Sequence, residues 1–234
     1  MNYATWVATI ANLTVIDAAD PDFVQILPEC EDYASNRLYR ELDLLNTVTR
    51  QSGLLTANDR NFTLPSAGGR FVVTNGINII TPSTTTNPDL GERIPCTPVT
   101  RDYLDMAWPS STGATVPANY AMITDQTVIF GPWPDAAYTA EVVGTYRPAA
   151  LSSTNTTTPL SLYWPDLFVA ASMVFMSGFM RNFGSQASDP QMGQSWETQY
   201  GKLFASANVE TMRSKYASGA WGSLQPTPLA TPSR

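Results

Sequence analysis

The sequence predicts an α+β fold, with a helical bundle formed by N- and C-terminal helices and a small antiparallel β-sheet or sandwich inserted between them. Apolar residues recur at helical spacing near both ends of the chain, whereas short β-branched and aromatic runs separated by turn residues fill the middle. The last residues are rich in Gly, Pro, Ser and Thr. We therefore divide the chain into N-terminal helices (1–48), a β-rich insertion (49–150), a C-terminal helical hairpin (151–217) and an extended Pro-rich tail (218–234).

Two helices are predicted in the N-terminal segment. Apolar residues at helical spacing indicate a short helix over residues 3–15. Asp20 can cap a second helix with Pro21 at its first position, and Pro28 should kink or restart it because proline has no amide hydrogen. From Glu29 onward this helix shows an apolar stripe: Cys30, Tyr33, Ala34, Leu38 and Leu42. Its other sides carry mainly charged residues: Arg37, Arg40, Glu41 and Asp43.

Short strands are predicted in the first half of the insertion. The β-branched or aromatic runs are residues 62–65, 70–74 and 77–80. The Asn75-Gly76 pair between two of these runs is typical of a hairpin turn. Residues 81–99 are rich in Thr and Pro and are predicted to form a long loop, and one or two helical turns follow over 100–106.

Three more strands are predicted in the second half of the insertion. They cover residues 120–124, 127–130 and 138–146. Asp125 and Gln126 form a tight turn between the first two, and a Gly-Pro-Trp-Pro-Asp corner precedes the third. We expect the three strands to form an antiparallel meander.

The C-terminal part of the chain begins with a polar linker over residues 147–160. A helix over about 166–183 follows, and because it is apolar on nearly every side it should be buried on nearly every side. A final helix over about 190–216 should pack antiparallel on it. The apolar positions of this last helix are Met192, Trp196, Tyr200, Leu203 and Ala207. The tail, 218–234, lacks the apolar content to fold alone.

The composition favours a protein that assembles with others. Only 14% of the 234 residues are charged, compared with roughly 25% in an ordinary soluble domain. A surface with few charges must be covered by neutral polar groups or by other subunits. The net charge of −7 argues against a protein whose main task is to bind nucleic-acid phosphates. It is compatible with the wall of a channel through which DNA slides.

The cysteines and the apolar segments predict a cytoplasmic product. Cys30 and Cys96 are the only cysteines, and we expect them to be free thiols. The N-terminus shows no secretory signal pattern. The longest apolar stretch, Leu167–Met180, is interrupted by polar residues and is too short to cross a bilayer, so we expect no membrane contact.

The sequence lacks most residues on which catalytic sites depend. It contains no histidine, which removes Ser-His-Asp, Cys-His and His-metal sites. A glycosidase needs only two carboxylates, for which Asp102/Asp105 or Glu29/Glu31 are available. Acidic pairs beside helix starts are much more often caps and solvated groups. We therefore predict no enzyme, and no catalytic, cofactor-binding or metal site.

Six tryptophans offer an alternative role in binding carbohydrate. Trp108, Trp133 and Trp164 each lie beside a proline at a segment corner. A large ring at such a corner commonly packs the turn against the core. We therefore favour this packing role over a sugar-stacking platform.

Three blocks of the sequence carry a family resemblance. The first is Asp20–Leu45, in which the most specific part is Asn36–Leu42 with the sequence NRLYREL. The second starts at Ala121 and includes GPWPDAAYTAEVVGTYRP, and the third is Tyr163–Phe168 with the sequence YWPDLF. In this order the blocks resemble the head-to-tail adaptor proteins of short-tailed bacteriophages, which are related to the tail tubular A proteins.

The resemblance implies a structural subunit of the virion. It implies a ring, usually of twelve copies, that joins the portal protein to the tail hub or nozzle protein and surrounds the DNA channel, where contact with genomic DNA is passive. Such a ring repeats one heterologous interface, which would cover surface with few charges. Extended loops such as 81–99 could clasp a neighbouring copy. The predicted partner-contact residues lie in the tail: Trp221, Leu224 and Leu229.

Two alternatives remain at this level. The chain could be another virion part, such as a tail-completion or fibre-attachment protein. It could also be a carbohydrate-binding module or a glycosidase, although the residues favour this less.

Overall fold

The computed structural model describes residues 1–44, 47–179 and 191–217, except the side chains of the last two. The chain forms two compact units. One is built from the residues up to Leu45 together with those from Ala150 onward, and the other is Asn46–Ala149. The first contains helices, and the second contains the sheet.

The described helices of the first unit start at clear sequence signals. They are α1 (Tyr3–Thr14), α2 (Pro21–Glu41), α4 (Pro159–Tyr163), α5 (Pro165–Phe179) and α6 (Met192–Ala217). Asp20 caps α2 by accepting hydrogen bonds from the amides of Asp22 and Phe23, with Pro21 at the first helical position. Pro28 lies inside α2, which continues past it without a break.

Helix α5 is the packing centre of this unit and contacts α1, α2, α4 and α6. The indole Nε1 of Trp6 on α1 donates a hydrogen bond to Ser172 Oγ at 3.1 Å, and that hydroxyl donates to the carbonyl of Phe168 at 2.8 Å. The core therefore contains a satisfied polar link in addition to its apolar contacts. The largest fully buried side chains from these helices are Trp6, Phe23, Phe168, Ile10 and Leu38.

Glu31 of α2 is an acidic residue in this core, only 1% exposed. Its Oε1 accepts hydrogen bonds from Ser35 Oγ at 2.5 Å and from the amide of Leu151 at 2.9 Å. Its Oε2 has no hydrogen-bond partner among the described residues. Burial raises the pKa of this carboxyl, although the two hydrogen bonds act in the opposite direction. The side chain ties α2 to the segment that re-enters the helical unit.

The second unit is a seven-stranded sheet with one helix, α3 (Arg101–Ala107). The strands are β1 (Val48–Leu55), β2 (Asn61–Thr63), β3 (Gly69–Thr81), β4 (Glu92–Pro98), β5 (Asn119–Met122), β6 (Thr127–Gly131) and β7 (Tyr138–Pro148). Their order is β1-β7-β3-β4-β5-β6-β2. All pairs are antiparallel except β4–β5, which is parallel.

The sheet curls into a nearly closed, barrel-like form. Its two edge strands approach where Phe62 of β2 fills the space beside Gly53 of β1, since a Cβ at Gly53 would lie 2.9 Å from Phe62 Cζ. Inside, β7 contributes apolar side chains to a core shared with other strands. Gly144 of β7 lies against an irregular part of β3, where a Cβ would come within 2.1 Å of the Val73 carbonyl oxygen. Only glycine fits there.

Residues 82–91 form a strap across the outer face of the sheet. Thr139 and Glu141 alternate with the core residues of β7, so they point outward, yet both are buried. The Thr139 hydroxyl donates to the carbonyl of Thr85 in the strap. Glu141 is held by Arg93 of β4 at 3.0 Å, and Arg93 also pairs with Asp89 of the strap at 2.8 Å. These bonds explain why a polar face of β7 is covered.

The predicted fold class is wrong. The protein is a mixed α/β structure with a seven-stranded, nearly closed sheet, in contrast to a helical bundle with a small inserted antiparallel sheet or sandwich. The insertion contains more strands than predicted, since β1 and β4 were not expected. The sheet is also not purely antiparallel, because β5 runs parallel to β4.

Several local predictions are wrong for identifiable reasons. Asn75-Gly76 is not a hairpin turn, because it lies within β3 where the pairing with β7 shifts register. The loop expected over 81–99 contains a 3₁₀ turn at Pro88–Leu90 and the whole of β4. No meander forms, since β6 pairs with β5 and β2 while β7 pairs with β1 and β3. The linker expected over 147–160 is shorter than predicted, because α4 already begins at Pro159.

Other local predictions are confirmed. The helices expected over 3–15 and 100–106 are α1 and α3, and the hairpin around Asp125-Gln126 joins β5 to β6. The helix expected over 166–183 is α5 as far as Phe179, beyond which residues 180–190 lie outside the described part of the chain. Cys30 and Cys96 are buried free thiols. Burial raises the pKa of each thiol to about 12.

We predict that Glu31→Gln stabilises the protein increasingly as the pH rises. With the folded pKa above the ordinary value of about 4.3, the folded protein keeps a proton that the unfolded chain releases. Stability is therefore lost as the pH rises from the unfolded towards the folded pKa, and the glutamine variant lacks this loss. The measurement is the melting temperature of both proteins from pH 4 to 8. Glu29→Gln, at an exposed position on the same helix, is the control. A difference between Glu31→Gln and wild type that does not change with pH contradicts the prediction.

Candidate functional site

The described part of the helical unit contains an open, polar cavity of about 560 Å³ beside α2. Helix α2 contributes most of the lining, and α6 contributes one carboxylate. The lining residues are Tyr33, Asn36, Arg37, Arg40, Glu41 and Glu197. The α2 residues lie three or four positions apart or next to each other on one helical face, so their side chains converge.

Arg37 contacts both helices that line this cavity. Its two terminal nitrogens donate to the two carboxylate oxygens of Glu197 at 2.7 and 2.5 Å, while its Nε donates to Glu41 at 3.1 Å. Its guanidinium carbon lies 3.8 Å from the centre of the Tyr200 ring. A planar guanidinium can make these contacts together, because the paired hydrogen bonds lie in its plane and the ring stacks on its face.

The same contacts set the electrostatics of the cavity. The hydrogen bonds from Arg37 lower the pKa of Glu197, so this carboxylate stays charged. Burial, followed by the hydrogen bond that its hydroxyl donates to Glu41, raises the pKa of Tyr200. Tyr200 is therefore a neutral donor. The result is a rigid link between α2 and α6.

Arg40 is the charged lining residue that this network leaves out. It is exposed, and it has no hydrogen bond or ion pair with any described residue. Tyr33 lies two helical turns before Arg40. Its ring contacts Phe175 of α5, with ring centres 5.4 Å apart. The cavity thus combines a fixed wall with one unengaged cation.

The stretch Asn36–Leu42 spans both the cavity and the core. Leu38 is fully buried among the helices, whereas Arg37, Arg40 and Glu41 line the cavity. The sequence pattern placed these charged residues away from the apolar stripe, which holds for its buried members but not for Tyr33, since Tyr33 is exposed and lines the same cavity. It did not reveal their partners Glu197 and Tyr200 on α6, which lie about 160 residues away. The available signal was the Glu-x-x-Tyr spacing, which places both side chains on one side of a helix.

A second polar cavity of about 270 Å³ lies in the sheet unit. It is lined by Arg50, Gln51, Ser52, Pro88, Asp89, Arg93 and Glu141. Burial acts to raise the pKa of Glu141, but hydrogen bonds from Arg93 and Asn78 bring the pKa below its ordinary value. We assign this cluster to holding the strap, because its buried carboxylate is already satisfied.

The predicted partner-contact residues Trp221, Leu224 and Leu229 lie outside the described residues.

The acidic pairs considered for catalysis do not form matched sites. Glu31 is buried while Glu29 is exposed. On α3, hydrogen bonding by Arg60 lowers the pKa of Asp105, which makes it a poor proton donor.

The corner tryptophans are used within the fold, which supports the packing interpretation. Trp133 Nε1 donates to the carbonyl of Trp108 at 3.1 Å. The Trp108 ring packs on Gly131, where a Cβ would lie 2.6 Å from Trp108 Cε3. Trp164 is buried and closes α4 by donating its amide to Leu160. None of these rings forms an open stacking platform.

Neither metal-binding clusters nor membrane spans are found in the described ranges. No group of three or more Cys, Asp or Glu side chains there is arranged to hold a metal ion. No described helix combines the length and apolar character needed to cross a bilayer.

Comparison with protein families gives the following match. A sequence model of the family described as "SU10 adaptor protein" matches residues 1–224. No curated protein matches the chain. The matched range includes both units and the cavity beside α2.

We predict that Arg37→Ala and Arg37→Lys both destabilise the helical unit, by about 1–3 kcal/mol for the alanine variant. Lysine keeps the charge but cannot both form the paired hydrogen bonds to Glu197 and stack on Tyr200. The Arg37→Lys variant should therefore be nearly as destabilised as Arg37→Ala. The measurement is urea unfolding followed by circular dichroism at 222 nm. Arg213→Ala removes an exposed arginine of α6 and should change stability by less than about 0.5 kcal/mol. Equal effects at positions 37 and 213 would contradict the prediction.

Proposed function

The chain belongs to the SU10 adaptor protein family of phage adaptors, and we propose that it forms a ring that joins the portal to the tail of the virion. The family membership makes it a structural virion component and carries this proposal. Within the family, we place the chain with the tail tubular A-like adaptors of short-tailed phages. The three sequence blocks that include Asn36–Leu42 and Tyr163–Phe168 support that finer placement.

A repeated subunit contact fits the surface of the chain. Only 14% of the residues are charged, and several large apolar side chains are highly exposed in the isolated chain. Val15, Leu90 and Met106 are 78%, 80% and 79% exposed. A subunit contact would remove such side chains from water. In a closed ring, the same two patches meet at every subunit boundary.

A passive role towards DNA fits the charge. A net charge of −7 disfavours tight binding to phosphates, and a channel lining of this kind lets DNA pass. Two of the carboxylates considered for catalysis, Glu31 and Asp105, have structural partners, which fits a subunit without enzymatic activity. The portal protein and the tail hub or nozzle protein are the expected partners, besides neighbouring copies.

The tail is the proposed partner-contact segment. Residues 218–234 contain one charged residue, Arg234, and three large apolar residues, Trp221, Leu224 and Leu229. Large apolar side chains on an extended segment suit insertion into pockets of a second protein. We assign this segment to the portal or to the neighbouring copy.

The position and symmetry of the subunit in the virion test the proposed function. Electron cryo-microscopy of the phage particle should show a ring of twelve copies directly below the portal. Twelve copies, one on each portal subunit, would repeat the same contact around the ring. Sixfold or threefold placement elsewhere in the tail would contradict the proposal and indicate a tail-completion or fibre-attachment protein.

Deleting residues 218–234 should abolish portal binding or ring closure while leaving the helix content of the remaining chain unchanged. The measurement is co-purification with the portal protein of the same phage, with assembly size followed by mass photometry. In full-length protein, Trp221→Ala, Leu224→Ala and Leu229→Ala together should have the same effect. The matched control is Ser223→Ala, Thr227→Ala and Thr231→Ala, which leaves the apolar anchors in place. Normal assembly of the truncated chain on the portal would refute the role of the tail.

A further inference from the structure

We propose that the cavity beside α2 receives a carboxylate side chain from a neighbouring copy of this chain, with Arg40 as the residue that binds it. This inference rests on the proposed ring and names one contact at its subunit boundary. It concerns the six-residue lining described above.

The inference comes from a difference in the contacts of two arginines of α2, Arg37 and Arg40. Arg37 already donates three hydrogen bonds to Glu41 and Glu197 and stacks on Tyr200, so it has little capacity for another ligand. Arg40, on the same helix and in the same cavity, has no partner among the described residues. An arginine carries five donors and remains charged at any physiological pH. Arg40 therefore presents an unused binding group at a preformed site.

The charges around Arg40 favour one carboxylate over a polyanion. Glu41 and Glu197 lie in the same lining, and each forms an ion pair with Arg37. A nucleic-acid backbone needs several cations along its path, and here it would meet two carboxylates beside Arg40, the one cation of this lining without a partner among the described residues. A single carboxylate can approach Arg40 alone and form a paired hydrogen bond with its guanidinium.

The size and openness of the cavity favour a side chain held on another protein surface. A volume of about 560 Å³ is larger than any single side chain requires. The exposed ring of Tyr33 and the Asn36 amide, at the same wall, can contact the stem of an inserted residue and its neighbours. The network at Arg37 fixes this wall before binding, which lowers the entropy that binding must offset.

A second copy of the chain is the partner with matching chemistry. The chain has 20 acidic and 13 basic residues, so its surface supplies carboxylates in excess. Exposed acidic side chains on the sheet unit include Asp59, Asp89, Asp102 and Asp125. In a heterologous interface, each copy offers the cavity on one side and a carboxylate on the other, so that all cavities are filled when the ring closes.

Charge reversal at position 40 tests the contact in the full-length protein. Arg40→Glu should raise the protein concentration needed for half-maximal ring assembly by at least about tenfold, because it places a third negative charge against the incoming carboxylate. Arg40→Lys should need a protein concentration between those of wild type and Arg40→Glu for half-maximal assembly. Arg213→Glu reverses an exposed arginine of α6 and is the matched control, expected to assemble like wild type. Mass photometry gives the assembly, and melting temperatures show whether each variant folds.

Photo-crosslinking then identifies the occupant. With p-benzoylphenylalanine in place of Tyr33, an exposed aromatic residue of the same lining, Arg40 is kept and irradiation should give a covalent dimer of the chain whose second site lies beside an Asp or Glu. A cross-link only to the portal protein, or only within one copy, overturns the inference and leaves the ring proposal intact. The inference is also overturned if Arg40→Glu assembles like wild type. A wild-type chain that stays monomeric, alone and with the portal protein, overturns both proposals.

Discussion

The burial of α5 is the constraint on which the helical unit depends. Its apolar residues cover almost the whole circumference, so no single neighbouring helix can remove them from water. The chain meets this need with helices from before and after the sheet unit, which contact α5 on different sides. Because α2 and α6 both pack on α5, Arg37 and Glu197 come together although they are 160 positions apart. The cavity beside α2 follows from this packing.

The sheet unit depends in a similar way on β7. This strand pairs with β1 on one side and with β3 on the other. Its inner face joins the apolar core, and its outer face is covered by the strap through Thr139 and Glu141. Strand β7 is therefore buried on both faces, which is unusual for an antiparallel strand. The strap explains it, because hydrogen bonds to Thr85 and Arg93 satisfy polar groups that the cover removes from water.

The sequence predicted features that depend on neighbouring residues and failed on those that depend on distant ones. Asp20 and Pro21 are a local start signal, so the beginning of α2 was predictable. The order of the strands depends on pairings between distant segments, and no local pattern contains them. Asn75-Gly76 has the composition of a turn, yet pairing of β3 with β7 on both sides of it turns the same residues into a strand irregularity. The cavity residues on α2 could be predicted from the sequence as a charged helix face. The contribution of Glu197 could not, because it depends on how α6 packs beside α2.

The pairing of β1 with β7 has a consequence for how this architecture can change. Val48 lies opposite Thr145, so the chain enters and leaves the sheet unit on adjacent strands. An insertion whose two ends lie side by side can be lengthened, shortened or exchanged with little demand on the geometry of its host. The helices from before and after it must remain complementary to each other, because they pack together on α5. Recombination between related genomes can therefore replace the module as one cassette.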